Sequence, residues 1–395
     1  MRVGDGIESN QRQSVGIFLR LVVAFTVLVA VAPQAFAQDT KATLSTNVPS
    51  KKKNVKASWN LEVSGEGYSD EQQQAQTTGL GLNGKIDYKF LPSLELKAAA
   101  GVSMQSGYAQ SRFGDNTPAS GVSLKEAVIV VKPIDRMSIS AGAIDQGHLN
   151  SPLLVSSQPF PGVKERVLLG SRAFNVEVKA QQTIPTSKSL STKAIEAEVT
   201  PSFTTETLAL RSEAIPNVKL LVYGTHFAFR SLPSTVAIES ERYGNTVTPI
   251  SANRSRFKYE FDGYVAGGES KVAVTRSLEW NVAGQMLQNT KADQSFASGQ
   301  TISTGLEIAL AGDVNIAPEV GSFFSESDVA PGFYNDSVYG HNNRTGWYAK
   351  IDATFKNAGF KAGLDYVDSD LINPSTLQSR MSFIRIRFET LYDVL

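Results

Sequence analysis

The chain has no cysteine, only three histidines, no excess of charge of either sign and a single apolar run of note. Without cysteine there is no disulfide, no thiol nucleophile and no lipid-bearing N-terminal cysteine. His148, His226 and His341 are widely separated. No paired spacing suggests a metal, and no motif beside them supplies the hydroxyl or carboxylate partner that hydrolysis would need. Neither an enzyme nor a cofactor is therefore expected. Gly79-Leu80-Gly81 and Gly267-Gly268 read as strand or turn glycines rather than phosphate cradles. With 38 basic and 38 acidic residues, electrostatics offers no reason to expect a nucleic-acid partner.

The one apolar run, Leu21 to Val31, follows Arg2, Arg12 and Arg20 and ends in Ala35-Phe36-Ala37. Basic flank, short apolar stretch and small residues at the end form a secretory signal peptide. The run is too short to cross a bilayer core of about 30 Å as a helix. Residues 1–37 are accordingly expected to be removed. Taking three arginines and two acids from the 38 of each sign leaves 35 basic and 36 acidic residues in the remaining 358. Residues 38–53, with Lys51, Lys52 and Lys53, read as an unstructured leader too short to fold by itself.

From residue 54 onward no long amphipathic helix is legible, and apolar positions recur with period two, the signature of strands. Val55, Ala57, Trp59, Leu61 and Val63 alternate with Lys56, Asn60 and Glu62, and Trp347, Ala349, Ile351, Ala353 and Phe355 with Lys350 and Asp352. The alternation predicts about sixteen strands, with fourteen to eighteen as the range the boundaries allow. The segments are 55–68, 78–90, 94–106, 122–132, 137–146, 170–182, 190–201, 205–214, 217–229, 253–265, 271–287, 300–311, 313–323, 345–356, 359–368 and 379–392. Many run to 10–14 residues, where strands of soluble proteins average roughly five or six. Short connections (Leu91-Pro92-Ser93, Pro133 to Arg136, Ile215-Pro216, Gly267-Gly268, Gly312-Asp313, Asn357-Ala358) alternate with long ones near 107–121, 147–169, 230–252, 288–299 and 324–344. That rhythm predicts an all-β fold, an antiparallel transmembrane β-barrel spanning 54–395 with apolar side chains to lipid and polar ones to a lumen. The aromatics Trp59, Trp280 and Trp347, and the groups Tyr223, Phe227, Phe229 and Phe257, Tyr259, Phe261, are read as lipid-facing.

The last predicted strand sets Ile384, Ile386, Phe388 and Tyr392 against Arg385, Arg387 and Glu389. With signal peptide, absent cysteine and strand rhythm, it makes the chain resemble the Gram-negative porin superfamily. It departs from the usual aromatic terminus, since Tyr392 is followed by Asp393-Val394-Leu395. The resemblance implies an outer-membrane location, 38–53 as a periplasmic leader, outer-membrane lipids as neighbours, and passage of small hydrophilic solutes or ions. It also allows a homotrimer. A barrel of this width has room for an aqueous channel. The alternative is an occluded barrel whose long outer loops serve a structural or recognition role.

Porins of this kind fold the loop after the fifth strand inward, the alternative being a loop folded over the outer rim. The corresponding segment, 147–169, makes His148, Lys164, Glu165 and Arg166 candidate constriction residues. Arg254, Arg256 and Lys258, with Arg385 and Arg387, are expected to form basic lumen walls. Glu62, Glu66, Asp352, Asp365 and Glu389 are the expected acidic groups, and Lys350 also faces inward. Separated walls of opposite sign would set a transverse field across a narrow pore.

Overall fold

The computed structural model describes residues 54–111, 120–171, 173–186, 198–251, 254–310 and 313–394. Residues 1–53, expected to be a signal peptide and leader, lie outside them. Among the described residues nineteen strands form in chain order: β1 (Val55–Ser69), β2 (Gln73–Leu91), β3 (Leu94–Ser111), β4 (Gly121–Ile134), β5 (Met137–Asp145), β6 (Pro159–Gly170), β7 (Phe174–Thr183), β8 (Ser202–Ser212), β9 (Val218–Arg230), β10 (Val247–Ser251), β11 (Arg254–Phe257), β12 (Phe261–Thr275), β13 (Leu278–Asn289), β14 (Ser298–Leu310), β15 (Val314–Ser325), β16 (Arg344–Phe355), β17 (Phe360–Leu371), β18 (Met381–Thr390) and β19 (Asp393–Val394). One nine-residue helix, α1 (Ser234–Arg242), lies between β9 and β10.

Sixteen of the strands, β1–β9 and β12–β18, pair antiparallel with their neighbours, and β18 returns to β1 through Glu62↔Glu389 to Ser69↔Ser382. The sheet is therefore closed, which leaves no unpaired edge. Connections at one end are tight (Pro92-Ser93, Arg276-Ser277, 356–359) while those at the other include 146–158, 231–260 and 326–343. In the 356–359 turn Gly359 takes φ +70°, a left-handed value that an L side chain rarely adopts.

The period-two reading assigns the faces correctly on most strands. Leu80, Leu82, Met286 and Ile302 point outward and are 46–67% exposed, an arrangement suited to lipid rather than water. Trp59, Trp280 and Trp347 share that outer face. Lys350, Asp352, Asp365, Arg385 and Arg387 occupy the opposite parity, joined in register across β16–β18.

The strand count of sixteen survives two errors that cancel. Residues 159–170, read as loop, form β6, fully paired with β5 and β7. Pro159, Pro161 and Gly162 resemble a loop, and Glu165 puts a charge where alternation demands an apolar residue. Of the strand expected at 190–201, residues 198–201 carry no strand and the others lie outside the described residues. The turn expected at Gly267-Gly268 is the middle of β12. Gly267 is there because the Tyr223 ring lies across it, so that a Cβ would sit 2.5 Å from the ring. The segment expected as one strand, 253–265, splits between β11 and the start of β12.

Two aromatic groups also change faces. Tyr223, Phe227 and Phe229 of β9 and Phe261 of β12 point into the barrel rather than to lipid, with Phe227 and Phe261 at most 1% exposed. There they meet Leu149, Leu153, Leu154 and Val155 of the 146–158 loop, Val236 of α1, and Val329, Ala330 and Tyr334 of the 326–343 loop. Phe203 and Phe229 stack at 4.2 Å, and Phe160 meets Tyr334 edge-on at 5.4 Å. Three loops thus turn inward and bury an apolar cluster in the loop-end half of the lumen. Burial on this scale, roughly 25 cal/mol per Å² of apolar area, holds the loops down.

Candidate pore constriction

The 146–158 loop leaves β5 through a short helical turn, Gln146–Leu149. Asp145 caps it by accepting from the Gly147 N–H, and Asn150 ends it at φ 52°. Ser157 donates to Asp145 Oδ1 at 2.8 Å, closing the loop on itself. Gln181 of β7 donates to Gln146 Oε1 at 2.8 Å. Farther round, Tyr223 of β9 donates to the Asn150 carbonyl at 3.4 Å. The loop is tied to the 326–343 loop by Ser156 N–H to Tyr334 O (2.8 Å) and Asp336 N–H to Pro152 O (2.9 Å). It therefore crosses the lumen between walls instead of resting on the rim.

The 326–343 loop is held by side-chain amides. Asn342 donates to Ala330 O (2.6 Å) and Ser327 O (3.1 Å) and accepts from Asn335 (2.7 Å) and Ser325 (3.1 Å). Asn245, just beyond α1, donates to Ser327 O at 2.8 Å and accepts from Gly332 N–H at 2.6 Å. Asp328 is fully buried, accepts from Thr246 N–H at 2.9 Å, and is pushed above the usual carboxylate range by burial. A network of this kind makes the loop arrangement specific, although Asp328 Oδ2 is buried without a hydrogen-bond partner.

Of the four expected constriction residues, three converge. His148 sits in the helical turn above Lys164 and Lys179. Its Nδ1 donates to the Asp145 carbonyl at 2.7 Å, which leaves Nε2 as the free acceptor of a neutral ring. Burial, followed by the Lys164 charge, pulls its pKa down to about 3. Lys164 and Arg166 point inward from β6 rather than lying on the loop. Glu165 does not belong to the site: as the alternate residue of β6 it faces outward, beside Ile139 and Ala180.

The alternation also brings in residues that the 147–169 assignment missed. Glu177 of β7 accepts from Arg166 at 2.5 Å and pairs with Arg211 of β8 at 3.3 Å. Lys132 of β4 pairs with Glu95 of β3 at 3.0 Å. On register, β3–β8 turn six cations (Lys97, Lys132, Lys164, Arg166, Lys179, Arg211) toward the lumen against Glu95, Glu126 and Glu177. Lys164 and Lys179 form no ion pair among the described residues. Strands β12–β15 face Glu269, Glu279, Glu307 and Glu319 inward against Lys271. β5 and β15 stand eight strands apart in the ring of sixteen, so the two arcs of opposite sign confront each other. Walls of opposite sign thus exist, on residues other than those expected.

The expected basic wall at Arg254, Arg256 and Lys258 is corrected. Arg254 and Arg256 lie on β11, which pairs only with β10 in a hairpin of the 231–260 loop, and Lys258 follows it over the Tyr259 ring at 4.8 Å. Arg385 and Arg387 do face the lumen but are neutralised. Arg385 meets Asp365 at 2.7 Å, and Arg387 meets Asp365 at 3.3 Å and Asp352 at 3.6 Å. Lys361 reaches Asp352 at 3.2 Å and Glu389 at 3.7 Å. This wall interleaves three cations with three carboxylates. Lys350 lies over the Tyr348 ring at 4.6 Å. Glu62 and Glu66 face inward from β1 without an ion pair among the described residues.

The histidines are less isolated in space than in sequence. His226 points outward from β9 between Asp262 (3.1 Å) and Glu206 (3.7 Å). His341 bonds Asn335 Oδ1 at 2.7 Å and stacks on Tyr243 at 4.0 Å. Among the described residues no cluster of His, Asp and Glu is arranged to hold a metal ion.

No protein-family model matches the chain, and no curated protein matches it in sequence. Solved structures do match in fold. OprB of Pseudomonas putida superposes with a TM-score of 0.52 at 14% identity, covering 86% of this chain and 94% of that one. A loop-deletion form of OmpT, an outer membrane protein of Vibrio cholerae, gives 0.50 at 9% identity, covering 86% and 100%. Closure, strand number, inward-folded loops and these likenesses agree: the chain is a sixteen-stranded antiparallel β-barrel of the outer-membrane porin architecture.

Proposed function

We propose that the barrel is a water-filled channel for small hydrophilic solutes or ions, narrowed by the 146–158 loop. One observation carries this reading: charged side chains line the lumen beyond the apolar cluster, and Lys164 and Lys179 there form no ion pair among the described residues. Lysines without partners need water around them. Opposed arcs of charge would orient polar solutes as they pass. The same proposal has residues 1–37 removed on export, lipid against the outer apolar face, and assembly as a homotrimer. Single-channel recording of the purified protein in a planar bilayer tests it, with stepwise conductance as the expected result. The apolar cluster of three inward loops favours a second reading, an occluded barrel whose loops recognise a partner. Correct insertion without conductance would select that one.

A further inference from the structure

Lumen-facing residues in the loop-end half differ sharply around the ring. From β8 to β18 they are bulky and buried: Phe203, Phe227, Phe261, Leu287, Val367 and Met381 are all at most 2% exposed, because the loop cluster rests on them. On β1 to β3 they are small or polar apart from Tyr68, which packs against that cluster. β2 turns Thr77, Gly79 and Gly81 inward, and β3 turns Gly101, Ser103 and Gln105. Ser103 and Gln105 are exposed although they face the barrel interior. The loops therefore lean on one side of the barrel and leave the other side open among the described residues.

At the loop end this gap begins as a cavity of about 370 Å³, bounded by Glu66, Tyr68 and Asp70 of the barrel wall and by Arg242, His341 and Gln378 of the loops. Arg344 borders it but is only 2% exposed and is occupied by Gly340 O (2.8 Å) and Ser379 O (2.8 Å). His341 is half-buried among the loop contacts, and desolvation there pulls its pKa down to about 3, so it adds no charge near neutral pH. Asp70 is engaged by Tyr68 O–H at 2.6 Å and by the Gln72 and Gln73 N–H groups. Glu66, and Glu62 two inward positions below it with Ser64 between, form no ion pair among the described residues.

We propose that solutes pass off the barrel axis, through this crevice and down the small-residue face of β1–β3, and that Glu62 and Glu66 make its mouth favour cationic over anionic solutes. The inference rests on the channel reading above. A carboxylate beside a narrow aqueous passage raises the local concentration of cations, most strongly at low ionic strength.

The natural absence of cysteine makes the test direct. Ser103→Cys is nearly isosteric, and at Gly81 a Cβ would meet nothing nearer than 3.7 Å, so Gly81→Cys also fits. Each is inserted in a planar bilayer and treated from the loop side with a bulky methanethiosulfonate. Modification of either should lower single-channel conductance by roughly half or more, since it adds bulk in the passage itself. The parent chain, lacking thiols, serves as the control. Glu62→Gln with Glu66→Gln should shift the reversal potential in a KCl gradient toward anions, and less so in concentrated salt. Complete labelling of both cysteines, verified by mass, with no change in current would overturn the route. An unmoved reversal potential would overturn the role of the carboxylates. A parent chain that inserts but never conducts would instead remove the channel reading beneath both.

Discussion

Two walls of one lumen use the same residue types to opposite ends. On β16–β18, Asp352, Asp365 and Glu389 are locked against Arg385, Arg387 and Lys361, with the Asp365 side chain 2% exposed. On β6 and β7, Lys164 and Lys179 form no ion pair among the described residues, while Arg166 beside them is held by Glu177. A lumen charge is thus a strut where its neighbours answer it and a free field source where they do not. Composition does not distinguish these cases. Register does, because it decides which side chains stand side by side.

The comparison can be broken from the paired side first. Replacing Arg385 and Arg387 together by Leu strands the Asp365 carboxylate and should cost about 3–5 kcal/mol, read as a lower denaturant midpoint in detergent micelles. A midpoint equal to the parent would make this wall no more structural than the other. Parity sharpens the contrast within a single strand. Ile351→Arg sends a charge toward lipid and should cost roughly 2–4 kcal/mol near the midplane, whereas Lys350→Gln, one residue away and facing the lumen, should fold with near-parental yield. The reverse order of yields would invert the facing of β16.

His148 and His341 test how the loops rest on the walls. Both folded pKa values, about 3, lie below the ordinary histidine value of 6.5. The unfolded loops therefore bind protons that the folded ones refuse. Stability is present above pH 6.5 and is lost as pH falls from there toward 3, by about 1.4 kcal/mol per histidine per pH unit. Asp328, raised by burial, acts in the opposite sense once pH approaches the carboxylate range. Hydrogen exchange of 146–158 and 326–343, normalised for intrinsic rate, should be less protected at pH 5 than at pH 7, and His341→Gln should flatten that dependence. Equal protection at both values would mean the histidines are not buried as neutral rings. The smallest structural effect belongs to the unpaired wall: Lys164→Gln and Lys179→Gln should change stability by less than about 0.5 kcal/mol. They should nevertheless move the reversal potential toward cation preference at low salt.

Much of the fold was legible because lipid and lumen impose a strict alternation on a barrel strand. Val55 to Val63 and Trp347 to Phe355 show it without interruption. It failed where function or packing overrides the period. Glu165 breaks it on the outer face of β6, and Pro159 and Pro161 imitate a loop. Gly267-Gly268 imitates a turn because the Tyr223 ring needs the space. Phe227, Phe229 and Phe261 looked lipid-facing because a loop plug and a bilayer demand the same apolar side chain. At the site, the inward parity of Glu177, Lys179 and Arg211 was readable along their own strands, but their meeting with Lys164 and Arg166 was not.

The sequence by itself determined the closed antiparallel barrel, its approximate width and the facing of most charged residues, since each follows from local periodicity and connection length. Tertiary structure decided which charges neutralise one another, which loops turn inward and where the lumen stays open. Those outcomes depend on contacts between residues as distant in the chain as Ser156 and Tyr334, or Gln72 and Thr376. They come about only when closure of the barrel brings separate loops and walls to one height in the lumen.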